Sequence, residues 1–301
     1  MALHIRGDAR CSMRDLDGGI ADLEEALRRA EEGGRVADVV SSLNYLAEWR
    51  WATEGPAAGL AEWERALELA EHRNVHSQAM YTKGAALWVL LEAGHWDRLL
   101  AWSDELLALP PGRLDPAVWV IAQVTRAHVL LARGQRPDVV DPDELLEVAE
   151  RTQELAARAP ALIAAAAIAL AEGEVEVAVE RLEAFESVTE GVATEYRAVE
   201  LVRAVRLSLA AGRVDIAERL VALSDPLVLR DRIRLDVAEA MLAEARSASG
   251  AAETWAVMAK RLRAYGDQFE EAKALIAKTR LAGEESSART QQLLQLLGVT
   301  A

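Results

Sequence analysis

The chain has 301 residues and a single cysteine, Cys11, so no disulfide can form within it. That suits a reducing compartment. Aromatic residues are scarce at 5%, with two phenylalanines and four tyrosines. β-branched residues come in isolated pairs and never alternate with polar ones over a strand's length, so no sheet is expected. Positive charge is in deficit: the net charge of −15 repels phosphate backbones and argues against nucleic acid as a partner of the whole surface. The opening "MALHIRGDARCSM" has no apolar stretch of the secretory kind. The longest apolar run is residues 161–171, eleven residues where a bilayer needs about 20. These absences predict a cytoplasmic protein with no membrane span.

Chemistry-bearing motifs are missing too. There is no G-x-x-x-x-G-K-[ST] phosphate loop, no H-E-x-x-H and no G-x-S-x-G. His72 and His76 stand four apart but lack a third ligand nearby, and a turn is expected between them. Cys11 has no neighbouring histidine. The 49 acidic residues are spread through arginine-rich helices, where i,i+4 pairing accounts for them. The expectation is therefore no catalysis, no metal and no cofactor.

What is abundant is Ala, Leu, Glu and Arg, all good helix formers. Their order is periodic. "ATEG" ends at Gly55, "LEAG" at Gly94, "LARG" at Gly134, "LAEG" at Gly173 and "LAAG" at Gly212, with fainter copies at Gly250 and Gly283. Successive spacings are 39, 40, 39, 39, 38 and 33 residues, the signature of stacked helical hairpins. Glycine takes the left-handed conformation that ends a helix, and Pro56 suits the first turn of the next one. Gly18-Gly19 marks an incomplete first copy within residues 1–19.

The predicted helices are 20–32, 36–53, 56–72, 76–92, 96–109, 116–132, 142–158, 161–171, 175–188, 192–210, 214–223, 227–247, 251–265, 269–281 and 284–297, with a partial helix in 3–14. Pro110, Pro111, Pro116, Pro137, Pro142, Pro160 and Pro226 are placed between helices, because an interior proline costs about 3 kcal/mol. Offsets of −3, −7 and −10 from the turn glycines carry the core: Leu91, Leu131, Leu170 and Leu209; then Leu87, Ala127, Ala166 and Val205; then Gly84, Val124, Ile163 and Val202. The fold class expected is all-α: a right-handed α-solenoid of about seven antiparallel hairpins, forming one domain over 1–301.

An apolar helix, a turn glycine and an amphipathic helix resemble a tetratricopeptide repeat, with a period of about 39 residues in place of the usual 34. Three stretches, "GGIADLEEALRRAEEGG", "SSLNYLAEWRWATEGPAAGLAEWERALELAEHR" and "ALWVLLEAGHWDRLLAWSDELLAL", resemble the C-terminal repeats of actinobacterial signalling ATPases, often fused to a nucleotide-cyclase homology domain. "MAKRLRAYGDQFEEAKALIAKTRLAG" resembles their closing repeat. The resemblance implies a tetratricopeptide-like regulatory module acting by protein contacts. Its catalytic parts, an ATPase or cyclase module, would lie upstream.

Two sets of residues are candidates for recognition. Seven of the eight tryptophans lie between positions 49 and 119: Trp49, Trp51, Trp63, Trp88, Trp96, Trp102 and Trp119. Packing between repeats is the expected role, and an exposed subset could anchor a partner. A second stripe beside the core offsets places Asn44, Lys83 and Gln123 at −11, Arg126 at −8, and Trp119, Arg158 and Arg197 at −15. On a concave face these seven would form a groove for an acidic protein or peptide segment, with arginine holding carboxylates bidentately. The alternatives are a small-ligand sensor with an enclosed pocket, and a scaffold that self-associates through the apolar face of helix 20–32, namely Ile20, Leu23, Ala26 and Leu27.

Overall fold

All seven periodic glycines carry the positive φ that their turns require, from 66° at Gly283 to 115° at Gly55. In the computed structural model, which describes residues 2–110, 112–137, 140–191 and 194–299, they separate helices of an all-α fold. Sixteen helices and no strand are found among the described residues. In chain order they are α1 (Ala2–Ser12), α2 (Leu16–Glu32), α3 (Val36–Glu54), α4 (Pro56–His72), α5 (His76–Glu92), α6 (Trp96–Leu107), α7 (Pro116–Ala132) and α8 (Pro142–Thr152). There follow α9 (Leu155–Glu172), α10 (Val175–Val188), α11 (Thr194–Ala210), α12 (Val214–Ala222), α13 (Leu229–Ala245), α14 (Ala251–Tyr265), α15 (Gln268–Ala282) and α16 (Ala288–Leu297).

Pro56, Pro116 and Pro142 open α4, α7 and α8, where a missing N–H costs nothing. Asp115, Asp141, Asp267 and Ser287 cap helices by accepting from backbone N–H groups of the first turn. The expected core stripe is buried at offsets −7 and −10, where Leu87, Val124, Ala127, Ile163, Ala166 and Val205 are fully enclosed, but at −3 only Leu91 is buried and Leu131, Leu170 and Leu209 are half-exposed. Gly84 allows α5 and α7 to touch, since a Cβ there would lie 2.6 Å from Val118 Cγ1.

Several expectations need correction. Pro160 is not between helices. It lies within α9, and the break falls earlier, at Gln153, whose φ is 56°. The apolar 161–171 segment is consequently part of an 18-residue helix, long and apolar enough to cross a membrane by composition, and 56% of it is buried inside the fold. Gly18-Gly19 is not a turn: both lie in α2, and a Cβ on Gly19 would sit 2.2 Å from Cys11 Sγ, so these glycines admit α1 at close range. The face of helix 20–32 is accordingly covered, with Leu23 buried beside Cys11, Leu46, Trp49 and Val228. Pro111 and the predicted helix start at 192 lie outside the described residues.

Helices pack on their sequence neighbours, as in a hairpin array, and α3, α5, α7, α9 and α11 also touch in succession. The departure from an open array comes next. α11 packs on α13, and α13 packs back on α3, so these six helices form a closed circuit. In an open solenoid each repeat meets only its neighbours. The C-terminal hairpin then folds over one end of the circuit. Tyr265 donates its hydroxyl to the Trp51 carbonyl at 2.8 Å, α15 packs on α5, and Arg133 Nε donates to the Leu297 carbonyl at 2.9 Å. The total accessible surface, 13819 Å², exceeds by only about a tenth the roughly 12,400 Å² expected of a globular monomer of 32.7 kDa.

Candidate functional site

The centre of the circuit holds charge where an apolar core would be expected. A small cavity there is lined by side chains of α5, α11, α13, α14 and α15 and the turn that joins the last two, among them Glu92, Arg203, Arg230, Arg234, Tyr265 and Glu270. Its volume is about 20 Å³, enough for one water molecule.

Several of the charged groups are matched from distant parts of the chain, and others by near neighbours. Glu92, at the end of α5, accepts from Trp51 Nε1 at 2.5 Å and from Arg234, 142 residues away. Arg230 lies 4.4 Å above the Trp51 ring and donates to Glu48 at 3.1 Å and Asp231 at 3.3 Å. Arg203 donates to Glu200 at 3.1 Å and faces the Trp88 ring at 5.5 Å. Arg206 holds Glu270 with two hydrogen bonds of 3.1 and 2.6 Å. Stacking of guanidinium on indole and bidentate pairing are what arginine does better than lysine.

Burial and neighbours set the protonation of this chamber. Asp267 is pushed well above the ordinary carboxylate value by burial, and Glu92 and Glu270 add to the rise. Burial would raise Glu270 as well, but Arg206 and Lys273 outweigh it and hold that carboxyl at about 2. Lys273 is lowered to about 7, first by desolvation and then by Arg206. Its ammonium rests 3.9 Å from the Phe269 ring centroid and 3.8 Å from Glu270. His128 is held neutral by burial, with Arg203 and Lys273 adding to the effect, and its Nε2 has no hydrogen-bond partner. Glu200 Oε1 is likewise buried without one.

None of the seven stripe residues lines this chamber. Asn44 donates to Thr82 at 3.1 Å. Lys83 pairs with Glu105 of α6 at 2.7 Å and Glu71 of α4 at 3.4 Å. Arg126 pairs with Asp104 of α6, and Arg158 with Glu150 of α8 at 2.8 Å. Trp119 packs, half-buried, on the cluster containing Val120 and Val124, and Gln123 is buried with its Oε1 unpartnered. Arg197 is buried against the turn after α10: it donates to the Thr189 carbonyl at 2.6 Å, the Thr189 hydroxyl at 3.1 Å and the Leu223 carbonyl at 3.0 Å. So the three exposed or half-exposed cations of the stripe engage acids of α4, α6 and α8, while Arg197 serves as an internal strut. The spacing rule selects residues of one helical face, and the fold pairs or buries them separately.

Of the tryptophans, Trp49, Trp51, Trp63 and Trp96 are buried, as packing between repeats requires. Trp51 does more, because its indole joins Glu92, Arg230 and Arg234. The signal for the chamber was present in α13, whose segment "RDRIRLD" (230–236) carries five charges within seven residues. Charges that dense fall on all sides of a helix, and α13, packed on α3, α11, α12 and α14, must bury some of them.

No family model matches the sequence, and no curated protein matches it.

Proposed function

We propose that this chain is a non-catalytic interaction or regulatory module that takes a partner segment on the inner face of its helix circuit. The reading keeps the tetratricopeptide-like repeat of about 39 residues and, with it, a place in a bacterial signalling ATPase system. The observation that carries it is the charged chamber: four arginines of α11 and α13 converge at the centre of a protein whose net charge is −15. Buried ion pairs contribute little to stability compared with apolar residues of the same size, so stability alone is a poor reason for them. A surface that recognises acidic groups is a better one.

The cavity size argues against an enclosed small-ligand sensor. Pockets for small molecules usually span about 300–1,000 Å³, and the closed chamber offers about 20 Å³. The test is fluorescence anisotropy with labelled helical peptides of acidic, neutral and basic first turns. The acidic peptides should bind, and binding should weaken as salt rises from 50 to 300 mM. If no peptide of any charge binds, the interaction reading fails.

A further inference from the structure

Resting on that reading, we infer that α15 is a resident, displaceable ligand of the chamber, and that the partner is an amphipathic helix whose first turn is acidic and carries an aromatic ring.

The contacts of α15 with the circuit have the character of a recognition interface. Its first turn carries Phe269, Glu270 and Glu271, directly after the capping Asp267. Asp267 is buried and caps the helix by accepting from the Glu270 N–H at 3.0 Å. Phe269 meets the Trp96 ring edge-on, with centroids 4.9 Å apart. Glu270 takes both hydrogen bonds of Arg206. Each partner in this set lies at least 64 residues upstream of the residue it meets: Trp96 begins α6, and Arg206 lies in α11. An aromatic anchor beside a bidentate arginine is the combination that dominates binding energy at interfaces between separate proteins.

The cap also sits where a removable element must. It closes the end of the circuit at the C-termini of α3, α5 and α7: Gly55 faces the Tyr265 carbonyl, Gly94 faces Gln268 and Leu297, and Arg133 holds the Leu297 carbonyl. On the circuit side, Glu200 Oε1 and His128 Nε2 are buried without partners, so the closed form leaves polar capacity unused. On displacement of α15, Arg206 loses the Glu270 carboxylate and Trp96 its ring partner. A helix in trans with an acid and an aromatic at the same spacing would restore both.

The probe is a fluorescein-labelled peptide of residues 266–283, GDQFEEAKALIAKTRLAG, added to the full chain. In the wild type the tethered α15 competes at an effective concentration that reaches the millimolar range for short linkers, so probe binding should be weak. Glu270→Arg places a cation against Arg206 and should release α15 while leaving the arginines of α11 and α13 in place. Hydrogen exchange across 268–282 should accelerate, and the probe should bind at least tenfold tighter than to wild type. Phe269→Ala, a milder change, should act in the same direction and serves if the arginine variant does not fold. Arg206→Glu should also free α15 but should not gain probe affinity. A probe with arginine at position 270 should bind that variant in preference to the wild type. The inference is overturned if α15 is freed and the probe binds no better, or if Glu270→Arg and Phe269→Ala both leave exchange across 268–282 unchanged. Should the wild type bind the acidic peptide panel with an affinity that these cap variants do not alter, the interaction reading stands and the displaceable-ligand inference alone falls.

Discussion

Substituting alanine at Gly55 and, separately, at Gly134 isolates the closure of the helix circuit from the ordinary demands of a helix-ending turn. Both glycines follow the inner helix of a hairpin, and both have positive φ, 115° and 69°. At Gly134 nothing lies within 4 Å of an added Cβ, so Gly134→Ala meets only the left-handed backbone penalty, about 1–2 kcal/mol. At Gly55 the backbone lies at φ 115° and ψ 174°, a region that is essentially glycine-only and costs about 1–3 kcal/mol for other residues. The added Cβ would also sit 2.2 Å from the Tyr265 carbonyl oxygen. Reaching ordinary contact means moving that backbone by more than 1 Å. The shift puts at risk the Tyr265–Trp51 hydrogen bond of 2.8 Å, worth about 1 kcal/mol net. Gly55→Ala should therefore destabilise by roughly 2–4 kcal/mol, about 1 kcal/mol more than Gly134→Ala. At about 2 °C per kcal/mol for a chain of this size, the melting temperatures should differ visibly. Hydrogen exchange followed by mass spectrometry supplies the spatial readout. Residues 251–282 should exchange faster in the Gly55 variant and unchanged in the Gly134 variant. Equal losses of stability, with no selective change in 251–282, would refute the reasoning that the C-terminal hairpin rests on this turn.

Trp51→Phe removes the indole donor from Glu92 and leaves one buried carboxylate oxygen unpaired; urea unfolding should show a loss of about 1–3 kcal/mol with an unchanged slope. Asp267 binds its proton more tightly in the folded chain than at its ordinary value of 3.8, so its contribution to stability is present below about pH 4 and disappears as the pH rises through the raised folded value. Asp267→Asn keeps the helix cap and removes that loss, so the variant should be the more stable protein at pH 7, and the difference should vanish near pH 4 in parallel denaturation curves. Cys11 is buried, and its thiol is pushed up to about 12, chiefly by desolvation; a colourimetric disulfide reagent at pH 8 should find no thiol in the native protein and one in guanidinium chloride. Arg126→Glu and Arg158→Glu break half-exposed ion pairs with Asp104 and Glu150; each should change stability by within about 0.5 kcal/mol and leave peptide binding in the chamber unaltered, whereas a large loss of binding would restore the groove read from the spacing.

The hairpin turns and the inner core were legible because each is written locally and repeated. A glycine every 39 residues or so marks where a helix must stop, and offsets of −7 and −10 from it fix which residues lie on the buried face. Leu87, Ala127, Ala166 and Val205 follow that rule to full burial. The closure was not legible, because it rests on pairs such as Glu92–Arg234, Glu48–Arg230 and Trp51–Tyr265, which lie 142 to 214 residues apart and recur nowhere. Arg197 shows why the stripe does not form one solvent-facing row. Its spacing matches Arg158, yet the Thr189 and Leu223 carbonyls of adjoining turns draw it inside. Period specifies a face of a helix, and what the face meets depends on where the array bends. Pro160 fails for a related reason. Its propensity argues for a break, but the apolar surroundings of α9 hold the helix through it, and the break moves to Gln153.

A double-mutant cycle across Glu92 and Arg234 tests the closed circuit most directly. The two residues lie on α5 and α13, 142 positions apart, and share a buried charge-assisted hydrogen bond. The measurement compares unfolding free energies of wild type, Glu92→Gln, Arg234→Met and the double variant, all at pH 7. With the circuit closed the two changes should be coupled by at least about 1 kcal/mol, because each single variant strands its buried partner. Additive losses, agreeing within about 0.5 kcal/mol, would mean that α5 and α13 do not meet and that the helices form an open array.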